Sequence, residues 1–135
     1  MRKILFLLAT LLSLTLSSCG GSAPSTTIDV TLTDFAFTPN AFTVPAGQEI
    51  TLNVVNNGTV VHNFLIMKLG TTAGEAFDEA DEVNVFWAER DIQPGGNFSV
   101  TFTAPTEPGD YQIVCRTQGH IASGMIGTLT VVAGE

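Results

Sequence analysis

Tyr111-Gln-Ile-Val-Cys115-Arg-Thr-Gln-Gly-His120-Ile-Ala-Ser-Gly-Met125-Ile-Gly-Thr-Leu129-Thr-Val131 reads as strand, loop and strand. Period 2 sets Tyr111, Ile113 and Cys115 on one face, so the Cys115 sulfur turns inward where the strand ends. Leu129 and Val131 mark the closing strand. Gln118-Gly119 and Ser123-Gly124 supply two bends between them, glycine being the residue that turns a chain tightly. Four residues separate Cys115 from His120, and four more separate His120 from Met125. A thiolate, an imidazole and a thioether are thus gathered in one short loop. His62, the only other histidine, lies upstream in Val60-Val-His-Asn-Phe64.

The same alternation recurs outward from this stretch. Ile28, Val30 and Leu32 face away from Asp29, Thr31 and Thr33, and Ile50, Leu52 and Val54 repeat the pattern up to Asn56-Asn-Gly58. Phe98, Val100 and Phe102 form a further apolar face. Pro39, Pro45-Ala-Gly47, Pro94-Gly-Gly96 and Pro108-Gly109 punctuate the runs. No long amphipathic helix is present, so the expected class is all-β, a sandwich of two sheets. Residues 70–92 read as an irregular acidic excursion with a short helix around Glu75 to Glu82, Phe77 and Ala80 facing inward. That excursion is either a solvated loop anchored by aromatics or a docking patch. Met67 reads as core.

Residues 1–18 have the make-up of an export signal: Arg2 and Lys3, then a short apolar run from Ile4 to Leu16, then Ser17 and Ser18. The run is short for a membrane span. Leu16-Ser-Ser-Cys19 matches a bacterial lipobox, which predicts cleavage before Cys19 and lipidation of its thiol. Residues 19–27 have the composition of a flexible tether, and 28–135 form one domain. The expected location is an exported lipoprotein, membrane-anchored through Cys19 and facing the periplasm or cell exterior. Beyond residue 18 only Lys68, Arg90 and Arg116 are basic, against all 13 acidic residues. That excludes nucleic acid as a partner and suits attraction to a basic protein surface. With Cys19 lipidated, Cys115 is a lone thiol in an oxidising compartment, where it must be buried or coordinated. A Cys19–Cys115 disulfide is the weaker alternative, because it would tie a tether to the donor loop.

One cysteine, two histidines and a methionine are the ligand set of a mononuclear copper centre that carries electrons. Soft sulfur donors favour Cu(I), and imidazole is acceptable to Cu(I) and Cu(II) alike. Each residue alone has a plainer reading: a hydrogen-bonded core histidine, a packing methionine, a small hydrophobic cysteine. Their joint spacing argues for the metal. A binuclear copper site needs a second cysteine where Gly119 stands, and copper enzymes need histidines this chain lacks. A cysteine–histidine hydrolase would leave its thiol buried, with no oxyanion-hole motif beside it.

The chain resembles the cupredoxins over nearly all of residues 28–135. The resemblance rests on Phe42-Thr-Val-Pro-Ala-Gly47, Val61-His-Asn-Phe64, Pro108-Gly-Asp-Tyr111 and the donor loop. The loop spacing is similar to that of auracyanin and rusticyanin and longer than that of plastocyanin, while His-Asn before an aromatic is similar to azurin. The resemblance implies a Greek-key sandwich of the cupredoxin type. It implies His62, Cys115 and His120 as strong equatorial ligands of one copper ion, with Met125 as the weak axial one. Asn63 would link the two ligand segments, although Arg116 occupies the place where relatives carry a small hydroxyl residue, leaving Thr117 to supply it. Arg116 is then either a cation beside the site or a partner for one of the acids. The implied function is a membrane-tethered, monomeric electron carrier rather than an enzyme. The alternative is a copper storage or delivery protein on the same fold. His120 would pass the electron out, Ile121 and Ala122 would give apolar contact, and Glu79, Asp81 and Glu82 would steer a basic redox partner.

Overall fold

A computed structural model describes residues 23–134. The lipobox, the Cys19 anchor and the export signal lie outside the described residues. The strands are β1 (Thr27–Thr33), β2 (Ala36–Thr38), β3 (Ala41–Pro45), β4 (Glu49–Asn56), β5 (His62–Met67), β6 (Val85–Ile92), β7 (Asn97–Thr103), β8 (Gly109–Val114) and β9 (Ile126–Val132). One short helix, α1 (Glu79–Glu82), sits between β5 and β6. Two sheets form, ordered β2-β1-β4-β7 and β3-β9-β8-β5-β6. β1 runs parallel to β4 and β3 parallel to β9; the other pairings are antiparallel.

The alternation decides which faces meet. Ile28, Val30 and Leu32 of β1 and Ile50, Leu52 and Val54 of β4 are all buried. They pack against Phe64, Ile66, Tyr111, Ile113, Leu129 and Val131 from the opposite sheet. Removing each such side chain from water contributes roughly 1.5–3 kcal/mol. β5 is buried along its whole length, because it lies inside its sheet between β8 and β6. Gly127 has no room for a side chain: a Cβ there would stand 2.7 Å from the Asn40 carbonyl oxygen. The two sheet edges meet where Trp87 of β6 stacks on Phe102 of β7, ring centroids 4.6 Å apart.

The structure departs from the alternation-based expectations in four places. Residues 85–92, expected to be irregular, form the edge strand β6. Its apolar pattern is interrupted by Glu89, Arg90 and Asp91 because only one face of an edge strand is covered, and the pairing with β5 is bulged. The helix is shorter than expected and starts at Glu79, since the Asp78 carboxylate accepts from the amides of Ala80 and Asp81 and so caps it. Ala80 is exposed; Phe77, outside the helix, packs on a small cluster with Leu65, Met67 and Val114. On the edge strand β7, Phe98 remains 36 % exposed, so its apolar face is covered only towards Phe102. Finally, the chain joins the sandwich before residue 28. Ser25 N donates to Thr43 O, Thr51 N donates to Thr26 O, and Thr27 already lies in β1.

Candidate metal centre

The register of β5 against β8 brings the two donor segments together. Leu65 pairs with Val114 and Ile66 with Ile113, so His62 and Asn63 run past the end of β8 beside Cys115. The loop then closes on itself in helical-type turns: His120 N donates to Thr117 O, and Ser123 N to Gly119 O. Met125 N donates to His120 O at 2.9 Å, tying the last donor to the histidine before it. Gly119 and Gly124 have φ of 81° and 92°, left-handed values where L side chains are strained. No neighbour crowds either position, so conformation rather than space requires glycine there.

His62, Cys115 and His120 therefore converge, their potential ligand atoms all within 4.8 Å of one another. Cys115 Sγ stands 3.8 Å from His62 Nδ1 and 3.6 Å from His120 Nδ1. With metal–sulfur bonds of about 2.3 Å and metal–nitrogen bonds of about 2.0 Å, a trigonally bound sulfur and nitrogen lie about 3.7 Å apart. The three donors already have the spacing of an equatorial set. Met125 Sδ lies 3.3 Å from His120 Nδ1, bringing a thioether up to the cluster. His62, Cys115 and Met125 are fully buried and His120 is 4 % exposed.

Hydrogen bonds set the sulfur in place. Asn63 N donates to Cys115 Sγ at 3.4 Å, with Asn63 Nδ2 at 4.0 Å. The same Nδ2 donates to Thr117 Oγ1 at 3.2 Å, and Thr117 Oγ1 donates to Val61 O at 2.8 Å. Asn63 Oδ1 accepts from Asp91 N, where β6 bulges and Asp91 takes a φ of 55°. One amide side chain thus joins β5, β6 and the loop. Arg116 points away from the sulfur towards Glu82 (3.9 Å) and Asp91 (3.7 Å), and Arg90 also pairs with Glu82.

The two imidazoles are backed differently, by residues the sequence did not single out. Asp34 Oδ1 stands 3.2 Å from His62 Nε2. Hydrogen bonds from the Thr59 hydroxyl and amide hold the Asp34 carboxyl below the usual carboxylate range; burial opposes them, and His62 adds a lesser lowering. The next residue, Phe35, packs edge-on against His120 with centroids 5.1 Å apart. Phe35 is half exposed and has a φ of 70°, an uncommon left-handed value for a bulky residue. Burial, then the neighbouring His62, lowers the pKa of His120, with Asp34 pulling the other way. That keeps a neutral ring, the form that offers a lone pair. Asp34 and Phe35 lie in the β1–β2 turn, where Asp-containing turns are so ordinary that composition carries no signal.

The docking expectations shift as well. Ile121 is 6 % exposed and packs with Leu65, Met67 and Val114, so it offers little contact area. Ala122 is exposed, and the larger apolar surface over His120 belongs to Phe35. Asp81 caps α1 through Asp78 N and Glu82 pairs with Arg90, leaving Glu79 without such a structural contact among the described residues. A groove lined by Glu75, Phe77, Arg116, Gln118 and Ala122 separates the acidic segment from the donor loop.

Residues 3–131 match the family model of the cupredoxin-like domain. The chain belongs to the cupredoxin family. This cupredoxin is 35 % identical over 103 residues to plastocyanin of Mercurialis perennis, covering 73 % of the chain and 89 % of that protein. It is 30 % identical to auracyanin-A of Chloroflexus aurantiacus, over 89 % of the chain and 91 % of the relative. The reduced auracyanin of Roseiflexus castenholzii superposes with a TM-score of 0.68 at 34 % identity, over 82 % of this chain and 99 % of that one. The nearly all-β, two-sheet architecture is that of the family. In this cupredoxin the four donors form a candidate site for one copper ion.

Asn63 offers a direct test of the frame. Asn63→Ala removes the side-chain bonds to Asp91 N and Thr117 Oγ1, both partly buried, and leaves those groups unmatched. It should destabilise the metal-free protein by about 1–3 kcal/mol, measured by urea denaturation. Thr117→Val should cost about half as much. Equal stability of Asn63→Ala and the parent would remove Asn63 from the frame.

Proposed function

We propose that this protein holds one copper ion through His62, Cys115, His120 and Met125 and carries single electrons between redox partners. The observation that carries the reading is the buried donor cluster, its ligand atoms at ligand spacing. Copper, when bound, supplies the one-electron Cu(I)/Cu(II) couple. The chain's own part is to hold the donors still and dry. Asn63 fixes the Cys115 sulfur, Phe35 and the loop shield His120, and the two sheets keep β5 and β8 in register. A frame that does not rearrange between oxidation states keeps the reorganisation accompanying electron transfer small. The related auracyanin A of Chloroflexus aurantiacus is a "blue" copper protein, which supports the same reading here. Burial of all four donors favours a retained ion over storage or delivery, for which release must be easy.

We further infer that the protein works outside the cytoplasm, tethered through a lipid on Cys19. The support is the lipobox-like Leu16-Ser-Ser-Cys19 and the polar residues that follow it. Docking would place Phe35, Ala122 and the edge of His120 against the partner. Steering would come from the acidic segment across the groove, acting over about 8 Å at physiological salt.

Copper-loaded, oxidised protein should be intensely blue or green from charge transfer between the Cys115 thiolate and Cu(II). Cys115→Ala should abolish the colour, whereas Met125→Leu should keep the copper and raise the reduction potential. A colourless loaded protein would sink the assignment, and copper lost on each redox cycle would favour delivery. For docking, electron exchange should be measured with a cationic and an anionic inorganic oxidant across salt concentrations. Changing Glu75 and Glu79 to Gln should slow only the cationic reagent, and only at low salt. Phe35→Asp should slow both at high salt; no effect of either change would refute this docking face. In cells, Cys19→Ala should move the protein from the membrane to the soluble fraction, and equal membrane association of mutant and parent would exclude the lipid anchor.

A further inference from the structure

We propose that Asp34 is the positioning residue of His62: its carboxylate accepts the Nε2 proton, so that Nδ1 presents its lone pair towards Cys115 and the metal. The proposal rests on the copper reading above and adds to it a residue outside the four donors.

The geometry runs in one line. Asp34 Oδ1 lies 3.2 Å from His62 Nε2, and His62 Nδ1 lies 3.8 Å from Cys115 Sγ. A carboxylate only accepts, so its partner nitrogen must carry a proton, and in the neutral ring the other nitrogen is then the one with the free lone pair. A fully buried imidazole also needs that partner, because an unmatched buried N–H is costly. Asp34 is itself held from a second direction. Thr59 N donates to Oδ1 at 3.0 Å and Thr59 Oγ1 donates to Oδ2 at 2.6 Å. The contact joins the two sheets, since Asp34 follows β1 and His62 opens β5.

Gly58 records how close this packing is. A Cβ at that position would stand 2.5 Å from His62 Nε2 and 2.6 Å from Asp34 Oδ1. Glycine is required there by space. The residues of 56–59 are therefore arranged around the pair: Gly58 leaves the room, Thr59 fixes the carboxylate, and Asn56 Oδ1 accepts from Gly58 N at 2.8 Å to hold the turn.

An outer carboxylate on a metal-binding histidine fixes the ring and makes it a better donor, and losing it typically weakens metal binding 10–100-fold. The negative charge also favours the more highly charged Cu(II) over Cu(I). Asp34 should therefore set both the affinity and the balance between the two oxidation states, with no contact to the ion.

The test compares the parent with Asp34→Ala, Asp34→Asn and Thr59→Val. In metal-free protein, ¹⁵N spectra should show His62 as the single Nε2–H tautomer, becoming a mixture in Asp34→Ala. Chelator competition should show Cu(II) affinity falling by about tenfold or more in Asp34→Ala, with Cu(I) affinity changing less. Asp34→Asn keeps an acceptor oxygen and should restore the tautomer while still raising the reduction potential, a split that a merely structural role would not produce. Thr59→Val, which leaves Asp34 in place, should shift tautomer and affinity the same way by a smaller factor, and carries the test if Asp34→Ala does not fold. Unchanged tautomer and unchanged Cu(II) affinity in the Asp34 variants, with the parent binding copper normally, would overturn the role of Asp34 alone. Failure of the parent to bind copper would instead overturn the reading of the centre.

Discussion

Everything in this molecule depends on keeping three polar donors apart at ligand distance in an interior that would otherwise exclude them. Two imidazoles and a thiol at 3.6–3.8 Å make poor hydrogen-bonding partners for one another, and each is buried. Buried polar groups stay in place only when other partners satisfy them. Those partners come from every side: Asn63 to the sulfur, Asp34 to one ring, the Met125 and loop amides to the backbone around the other. The sandwich supplies the rigidity, since β5 and β8 are held as neighbours in the same sheet, and the loop between β8 and β9 spans the gap at the sheet's end.

The turn between β1 and β2 has a larger share in this than its length suggests. Two successive residues, Asp34 and Phe35, reach the two histidines, one through a carboxylate and the other through an aromatic edge. Successive side chains diverge in most backbone conformations. The left-handed φ of Phe35 is the local distortion that accompanies their convergence here, and sparsely populated backbone geometry of this kind persists only where surroundings enforce it. The pair also divides the labour: the ring supported by charge is the inner one, and the ring covered by apolar surface lies nearer the exit.

How much of this was legible in the sequence depends on whether a residue acts through local pattern or through a long-range meeting. The faces of β1, β4 and β9 follow period 2, and burial matches the pattern residue by residue. The glycines at 119 and 124 announce the loop's bends because few other residues tolerate their φ. β6 was hidden, since an edge strand covered on one side and bulged against β5 keeps charged residues that resemble a solvated loop. Ile121 was misplaced for the opposite reason: it follows His120 in a loop, yet the loop's helical turns swing it down onto Leu65 and Met67. Asp34 gave no signal at all. Its meaning arises only when a parallel pairing of β1 with β4 brings residue 34 beside a turn 25 residues later.

The acidic surface and the donor cluster are best understood as separable. Of the acids between residues 75 and 91, Asp78 and Asp81 cap the helix, while Glu82 and Asp91 pair with Arg90 or Arg116. Exposed pairs of this kind add little stability, but they fix where charge sits relative to the groove beside the loop. Arg116 is the link, because it follows Cys115 in the chain and ends among these acids. It places a cation between the negative segment and the donor loop, where Glu82 and Asp91 pair with it. The carboxylate that does contact a donor ring is that of Asp34, against His62. A protein built this way could vary its outer acids to suit a partner without disturbing the Asp34–His62 contact behind the ring.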